Sequence, residues 1–157
     1  MVEVDVKICA GDLYDYLLMH TYSGTSGLLG GCFGALLVVI ALMKGQWTLF
    51  AAGAVVLLYL PWTLFVRSRK QALNPVFQKT LHYRLDGEGI SVSQDGEEQK
   101  QSWDQMVKAV STGRSIIVYT SKVHATIFPK RDLSDRKEAV IEMISTHMPP
   151  DKVKIKE

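Results

Sequence analysis

The first eight residues alternate in character. Val2, Val4, Val6 and Ile8 are apolar, and Glu3, Asp5 and Lys7 between them are charged. A period of two predicts a half-buried strand. One short strand has no stability of its own, so it is expected to join a sheet built elsewhere in the chain. Gly11-Asp12 is expected to end the strand and cap a helix. Leu13, Tyr14, Leu17, Leu18 and Tyr22 then recur at helical spacing, with Asp12 and Asp15 in the first turn, where the helix dipole favours acids. Residues 12–22 therefore predict an amphipathic helix lying at a membrane surface.

The polar half of the pattern then disappears. The 43 residues from Gly24 to Val66 carry one charge, Lys44. Gly24–Met43 and Trp47–Val66 are two uncharged runs of 20 residues each. About 20 residues rising 1.5 Å each cross the roughly 30 Å hydrocarbon core of a bilayer. The link, Lys44-Gly45-Gln46, is short enough to force an antiparallel transmembrane hairpin. Trp47 and Trp62 near the span ends suit the interfacial aromatic belt. Pro61 is tolerated near the end of a membrane helix. Two buried core helices are the competing explanation, and the rest of the chain is too small to cover both on all sides. A signal peptide does not fit, because the preceding segment is acidic and a second span follows directly.

Alternation returns after the hairpin. Residues 67–79 read as a basic linker broken at Asn74-Pro75. Short strand candidates follow at Thr80–Leu85, Gly89–Gln94, Glu98–Trp103, Met106–Thr112, Ser115–Ser121 and Val123–Phe128. Asp86-Gly87, Asp95-Gly96 and Thr112-Gly113 are hairpin signals in which glycine would supply positive φ. Asp132–Ser134 is expected to cap a last helix over 134–148, with Val140, Ile141, Ile144 and Met148 on one face. Pro149-Pro150 ends it, and residues 151–157 form a charged tail. The element order predicts an α+β membrane protein: a transmembrane hairpin, then a small antiparallel barrel or sandwich over residues 80–150 plugged by a helix, with residues 1–23 supplying a further strand.

Composition adds limits. A chain of 157 residues with 47% hydrophobic and 22% charged residues is not collagen-like, disordered or a disulfide framework. A net charge of +2 is too small to argue for nucleic acid, and no nucleic-acid-reading motif is present. The distribution of charge says more. Residues 67–157 hold 16 basic and 12 acidic residues, and Arg67, Arg69 and Lys70 follow the second span directly. Basic residues favour the cytoplasmic side, so both termini are expected in the cytoplasm and the Lys44 loop outside.

Several motifs together resemble a known family. They are Tyr83-Arg84-Leu85-Asp86 with Gly89-Ile90, then Trp103, then Ile116-Ile117-Val118-Tyr119, then Ile127-Phe128-Pro129-Lys130-Arg131. In this order and spacing the sequence resembles the YcxB-like bacterial membrane proteins, and the Leu13–Tyr22 stretch and the two-span hairpin fit that layout. The resemblance implies a pleckstrin-homology-like (PH-like) cytoplasmic domain hung on two transmembrane helices in the cytoplasmic membrane. It implies no known activity.

Four groups of residues are candidates for function. Gly27/Gly31 and Gly30/Gly34 are GxxxG pairs that open a groove for another helix, either the second span of the same hairpin or a second chain in a homo-oligomer. Arg67, Arg69 and Lys70 abut the bilayer and suit anionic head groups. Lys130, Arg131, Arg136 and Lys137 cluster around a helix start, as a site for a head group or phosphorylated ligand or as a solvated turn paired with carboxylates. Trp103 is either a buried anchor or a stacking platform. His20, His82, His124 and His147 lack metal-ligand spacing, and Cys9 and Cys32 are not placed to bridge. No nucleophile motif or phosphate-cradling loop occurs. The expectation is therefore a non-enzymatic, cofactor-free module whose partners are the lipid bilayer and a membrane or cytoplasmic protein, acting as a scaffold. The alternatives are a subunit of a membrane assembly (a transporter accessory or immunity-type protein) working through its glycine face, and an anionic-lipid-binding module.

Overall fold

The computed structural model describes residues 1–121 and 124–155. The chain begins with strand β1 (Val2–Val6), followed by helices α1 (Ala10–Tyr22), α2 (Thr25–Lys44), α3 (Trp47–Ala72) and the single turn α4 (Pro75–Gln78). Strands β2 (Leu81–Leu85), β3 (Gly89–Gln94), β4 (Glu97–Ser102), β5 (Lys108–Ser111), β6 (Ser115–Tyr119) and β7 (Ala125–Pro129) come next. The short helix α5 (Lys130–Leu133), helix α6 (Lys137–His147) and the two-residue strand β8 (Val153–Lys154) complete it. This is an α+β chain with two long apolar helices.

The strands form two four-stranded sheets rather than a closed barrel, ordered β1-β2-β3-β4 and β7-β6-β5-β8. The N-terminal alternation has the consequence it predicts. Strand β1 pairs antiparallel with β2, with Val2 opposite Leu85 and Val6 opposite Leu81, so Val4 and Val6 enter the core while Glu3 and Asp5 face solvent. The core lies between the sheets and under α6, where Leu85, Ile116, Val118, Phe128, Val140 and Ile144 meet. Tyr83 and Phe128 join the two sheets edge-to-face, ring centroids 4.9 Å apart. Strand β6 is buried along its whole length because both its faces are covered. Ile116 and Val118 face the main core, and Ile117 and Tyr119 face α1 with Tyr16 and Met19.

Several expectations need correction. In place of a basic linker from residue 67, α3 continues to Ala72, because residues 67–72 contain no glycine or proline to oppose helix. It ends where Asn74 accepts from the Val76 N–H, at 3.1 Å, and caps α4 with Pro75 in its first turn. The last helix does not begin at Ser134. Residues 134–136 form a 3-10 turn, Ser134 has φ 44°, and regular α-helix starts at Lys137. The Asp132 carboxylate is already engaged, accepting from the Lys7 N–H at 3.0 Å. Only one of the three glycine turns uses positive φ: Asp95 and Gly96 lie at 53° and 87°. At Asp86-Gly87 the Asp86 carboxylate instead accepts from the N–H groups of Glu88 and Gly89. At Thr112-Gly113 the Thr112 hydroxyl does the same for Arg114 and Ser115. Side-chain turns of this kind need no left-handed residue. The tail is not wholly irregular either, since Val153–Lys154 pairs parallel with β5. The expected strand start at Val123 and the last two tail residues lie outside the described residues.

Helices α2 and α3 pack as a hairpin. Gly45 closes the first helix in the left-handed conformation, φ 64°, which glycine adopts without a Cβ penalty. Both helices are long and apolar enough to cross a membrane. Only 17% of the Gly27–Lys44 window and 11% of Trp47–Ala72 are buried by the rest of the chain, unlike the core helices of a soluble protein. Leu28, Leu29, Phe33, Leu36, Val55 and Leu58 are among the exposed large side chains.

Candidate functional site at the hairpin–sandwich joint

The joint is built on α1. Tyr14 on one side of this helix meets Phe65 of α3 edge-to-face at 5.8 Å. On another side Tyr16 meets Tyr119 of β6 at a tilt, 6.0 Å between centroids, and His20 stacks on Tyr119 at 6.1 Å. The predicted amphipathic helix is thus held between the hairpin and the second sheet, with apolar contacts on both.

Polar bonds lock the same helix. Asp12 is fully buried and receives both terminal nitrogens of Arg131, Nη1 to Oδ1 at 2.6 Å and Nη2 to Oδ2 at 2.7 Å. Its Oδ2 also accepts from the Cys9 N–H at 2.8 Å. Arg131 further donates to the Lys7 carbonyl and lies 3.2 Å from Asp132. Burial alone would raise the Asp12 pKa; the Arg131 and Cys9 hydrogen bonds outweigh it and hold the carboxyl below its ordinary value. The same hydrogen bonds, donated by Arg131 to Asp12, raise the Arg131 pKa. One turn further along α1, Asp15 accepts from the Thr112 hydroxyl at 2.5 Å.

The basic cluster of residues 130–137 is therefore drawn inward. Lys130 donates to the Thr112 carbonyl at 2.6 Å, Arg131 holds Asp12, and Arg136 donates to the Glu3 carbonyl. Lys137 opens α6. Sequence reasoning missed Asp12 and Asp15 as partners in this joint. Asp12 lies in the first turn of α1, where the helix dipole explains it equally well, and nothing local points 119 residues ahead.

Arg67, Arg69 and Lys70 differ in setting. They occupy the last turns of α3, exposed, with no ion pair among the described residues. Arg69 lies over the Phe65 ring at 4.6 Å. No aspartate or glutamate occurs between Tyr16 and Leu85.

The glycine face of α2 is filled from within the chain. A Cβ at Gly34 would come within 2.9 Å of Leu57, and one at Gly30 within 3.6 Å of Leu60, both on α3. A Cβ at Gly27 would lie 2.3 Å from the Thr21 carbonyl oxygen, and one at Gly31 would approach Tyr22 at 3.7 Å. Trp103 is buried, donates its indole N–H to the Asp86 carbonyl at 2.8 Å, and stacks on His147 at 5.2 Å. His82 pairs with Asp5 at 2.5 Å on the open face of the first sheet. His124 precedes β7 in the other sheet, so these two histidines do not form a pair. No group of three metal-ligating side chains occurs among the described residues.

A groove of about 390 Å³ lies between β1 and the α5–α6 turn, lined by Glu3, Asp5, Asp132 and Asp135 together with Arg136. Comparison with known proteins gives one family: residues 85–144 match the family model described as YcxB-like protein. No curated protein and no solved structure matches the chain.

Proposed function

Residues 85–144 are YcxB-like, and for a chain so built we propose a non-catalytic, membrane-anchored binding and scaffolding module. Helices α2 and α3 form a two-pass anchor in the bacterial cytoplasmic membrane. The two sheets and α6 form a PH-like domain on the cytoplasmic side, and the domain presents the groove between β1 and α6 to a protein partner. The acidic rim of that groove, Glu3, Asp5 and Asp135, suits a basic segment of the partner. Tethering confines the groove to the membrane surface and raises its effective concentration there.

The observation that carries this reading is the β1–β2 pair. Strand β1 precedes the hairpin and β2 follows it, yet they are hydrogen-bonded neighbours over Val2–Val6 and Leu81–Leu85. Both ends of the hairpin must then lie on one side, which agrees with the basic residues at the end of α3. Assembly with another chain through the glycine face would need the positions that Thr21, Tyr22, Leu57 and Leu60 fill.

Topology and function are tested together by cysteine labelling in intact cells. With Cys9 and Cys32 replaced by serine, a membrane-impermeant maleimide labels Lys44→Cys and spares Glu98→Cys. The reverse pattern, or a purified chain that stays monomeric in plain buffer, overturns the anchor. Charge reversal at Asp5 and Asp135 then removes a partner crosslinked at the groove while leaving the protein in the membrane.

A further inference from the structure

We propose that α3 carries a site for one anionic phospholipid, with an acyl chain along its outer face and the head group on Arg67 and Lys70; this rests on the membrane reading above. A groove of about 650 Å³ runs along the helix, bordered by Ala54, Leu58, Tyr59, Trp62 and Phe65, with Tyr14 of α1 as its far wall. A second hollow of about 420 Å³ follows, lined by Trp62, Thr63, Val66, Arg67 and Lys70. Trp62 borders both. Residues 62, 66 and 70 fall on one helical stripe, and the stripe passes from apolar to cationic without a break.

The dimensions match one lipid in one leaflet. Ala54 to Phe65 spans about 16 Å at 1.5 Å per residue. Half of a roughly 30 Å hydrocarbon core is about 15 Å. The cations then sit at head-group depth. Neither makes an ion pair among the described residues, and no acidic residue occurs in the sequence from Tyr16 to Leu85. Lys130, Arg131 and Arg136 are committed to internal bonds, whereas Arg67 and Lys70 directly follow the apolar run of α3.

The walls are also held in place. Phe65 is braced by Tyr14 at 5.8 Å and by Trp62 at 6.4 Å, and Arg69 lies over its ring at 4.6 Å. A preformed aromatic groove costs less ordering on binding than a flat helix surface. Bulky, uneven side chains at Tyr59 and Trp62 fit a flexible chain better than the close approach of a second helix, which favours small residues.

The test uses the full chain in phosphatidylcholine nanodiscs doped with phosphatidylglycerol, with bound lipid measured by native mass spectrometry. Wild type is expected to retain phosphatidylglycerol at least tenfold over phosphatidylcholine. Arg67→Gln with Lys70→Gln reduces its affinity about thirtyfold, from roughly 1 kcal/mol per basic residue. Ala54→Phe and, separately, Leu58→Trp fill the groove without touching a charge and must also release the lipid. Retained preference in both groove variants would mean bulk surface charge and overturns the site. Equal competition by glycerol phosphate in solution overturns the lipid as occupant. Alkaline carbonate extraction separates the two levels: a wild-type chain that leaves the membrane sinks the anchor and the site together, and one that stays without lipid preference sinks the site alone.

Discussion

Asp12 and Arg131 form a bidentate ion pair across 119 positions of sequence, and only one of the two is exposed to solvent. The Asp12 side chain is 0% accessible and that of Arg131 44%. This asymmetry decides how each residue responds to loss of the other.

Arg131→Ala leaves a carboxylate buried without its counter-ion, which costs on the order of 3 kcal/mol. Asp12→Ala leaves a guanidinium that can turn to water and to Asp132, and is expected to cost less. Chemical unfolding of both variants in micelles, with the double variant closing the cycle, measures the difference. Equal losses would show that the pair is not desolvated as its geometry requires.

The same pair makes stability depend on pH. The folded pKa of Asp12 lies below its ordinary 3.8, so the unfolded chain binds the proton more readily. The contribution is then complete above about pH 4 and fades as pH falls through the folded pKa. A thermal melt of wild type should drop in that acid window. Asp12→Asn, which has no carboxyl to titrate, should show a shallower acid dependence alongside a lower plateau.

The glycines of α2 should rank by what a methyl group would strike. Gly30→Ala meets Leu60 at 3.6 Å, an ordinary contact, and is expected to be tolerated. Gly34→Ala presses on Leu57 at 2.9 Å, and Gly27→Ala drives into the Thr21 carbonyl at 2.3 Å, where backbone must move. Melting temperatures in detergent should fall in that order. A flat series would mean that α2 does not pack against α1 and α3 as described.

Strand β1 should stabilise the sheet it joins. Val6 is fully buried, and Val6→Ala is expected to cost about 2 kcal/mol. Hydrogen exchange at Leu81–Leu85 is the sensitive probe, because those amides lose protection if the neighbouring strand detaches. Unchanged exchange after removal of residues 2–6 would refute the pairing.

Patterns within a single element were readable from sequence. The strict alternation of Val2–Ile8 predicted a strand, and β3 has the expected bounds, Gly89–Gln94. Two uncharged runs gave two long helices. Chemistry that links distant elements was not readable. A carboxylate partner for Arg131 was one of the two readings, but a local stretch of Lys130, Arg131, Arg136 and Lys137 contains no sign that the partner is Asp12. The turns at Asp86 and Thr112 looked like glycine turns, although side-chain acceptors one residue earlier close them. Arg67–Ala72 looked like a linker because charge was taken as the end of the helix, whereas charge ends only the apolar run. The groove along α3 was invisible for a similar reason: it depends on Tyr14, which comes from another helix.

The position of β1 also governs the order of events during synthesis. A ribosome releases residues 2–6 well before residues 81–85 exist, so on the anchor reading proposed above the first strand waits while two helices enter the lipid. Only when the second sheet partner emerges can the sandwich close. A hairpin in which only one of the two helices crossed would strand the two halves on opposite sides of the bilayer, leaving an unzipped edge open to quality-control proteases. The domain would thus act as a check on its own anchor.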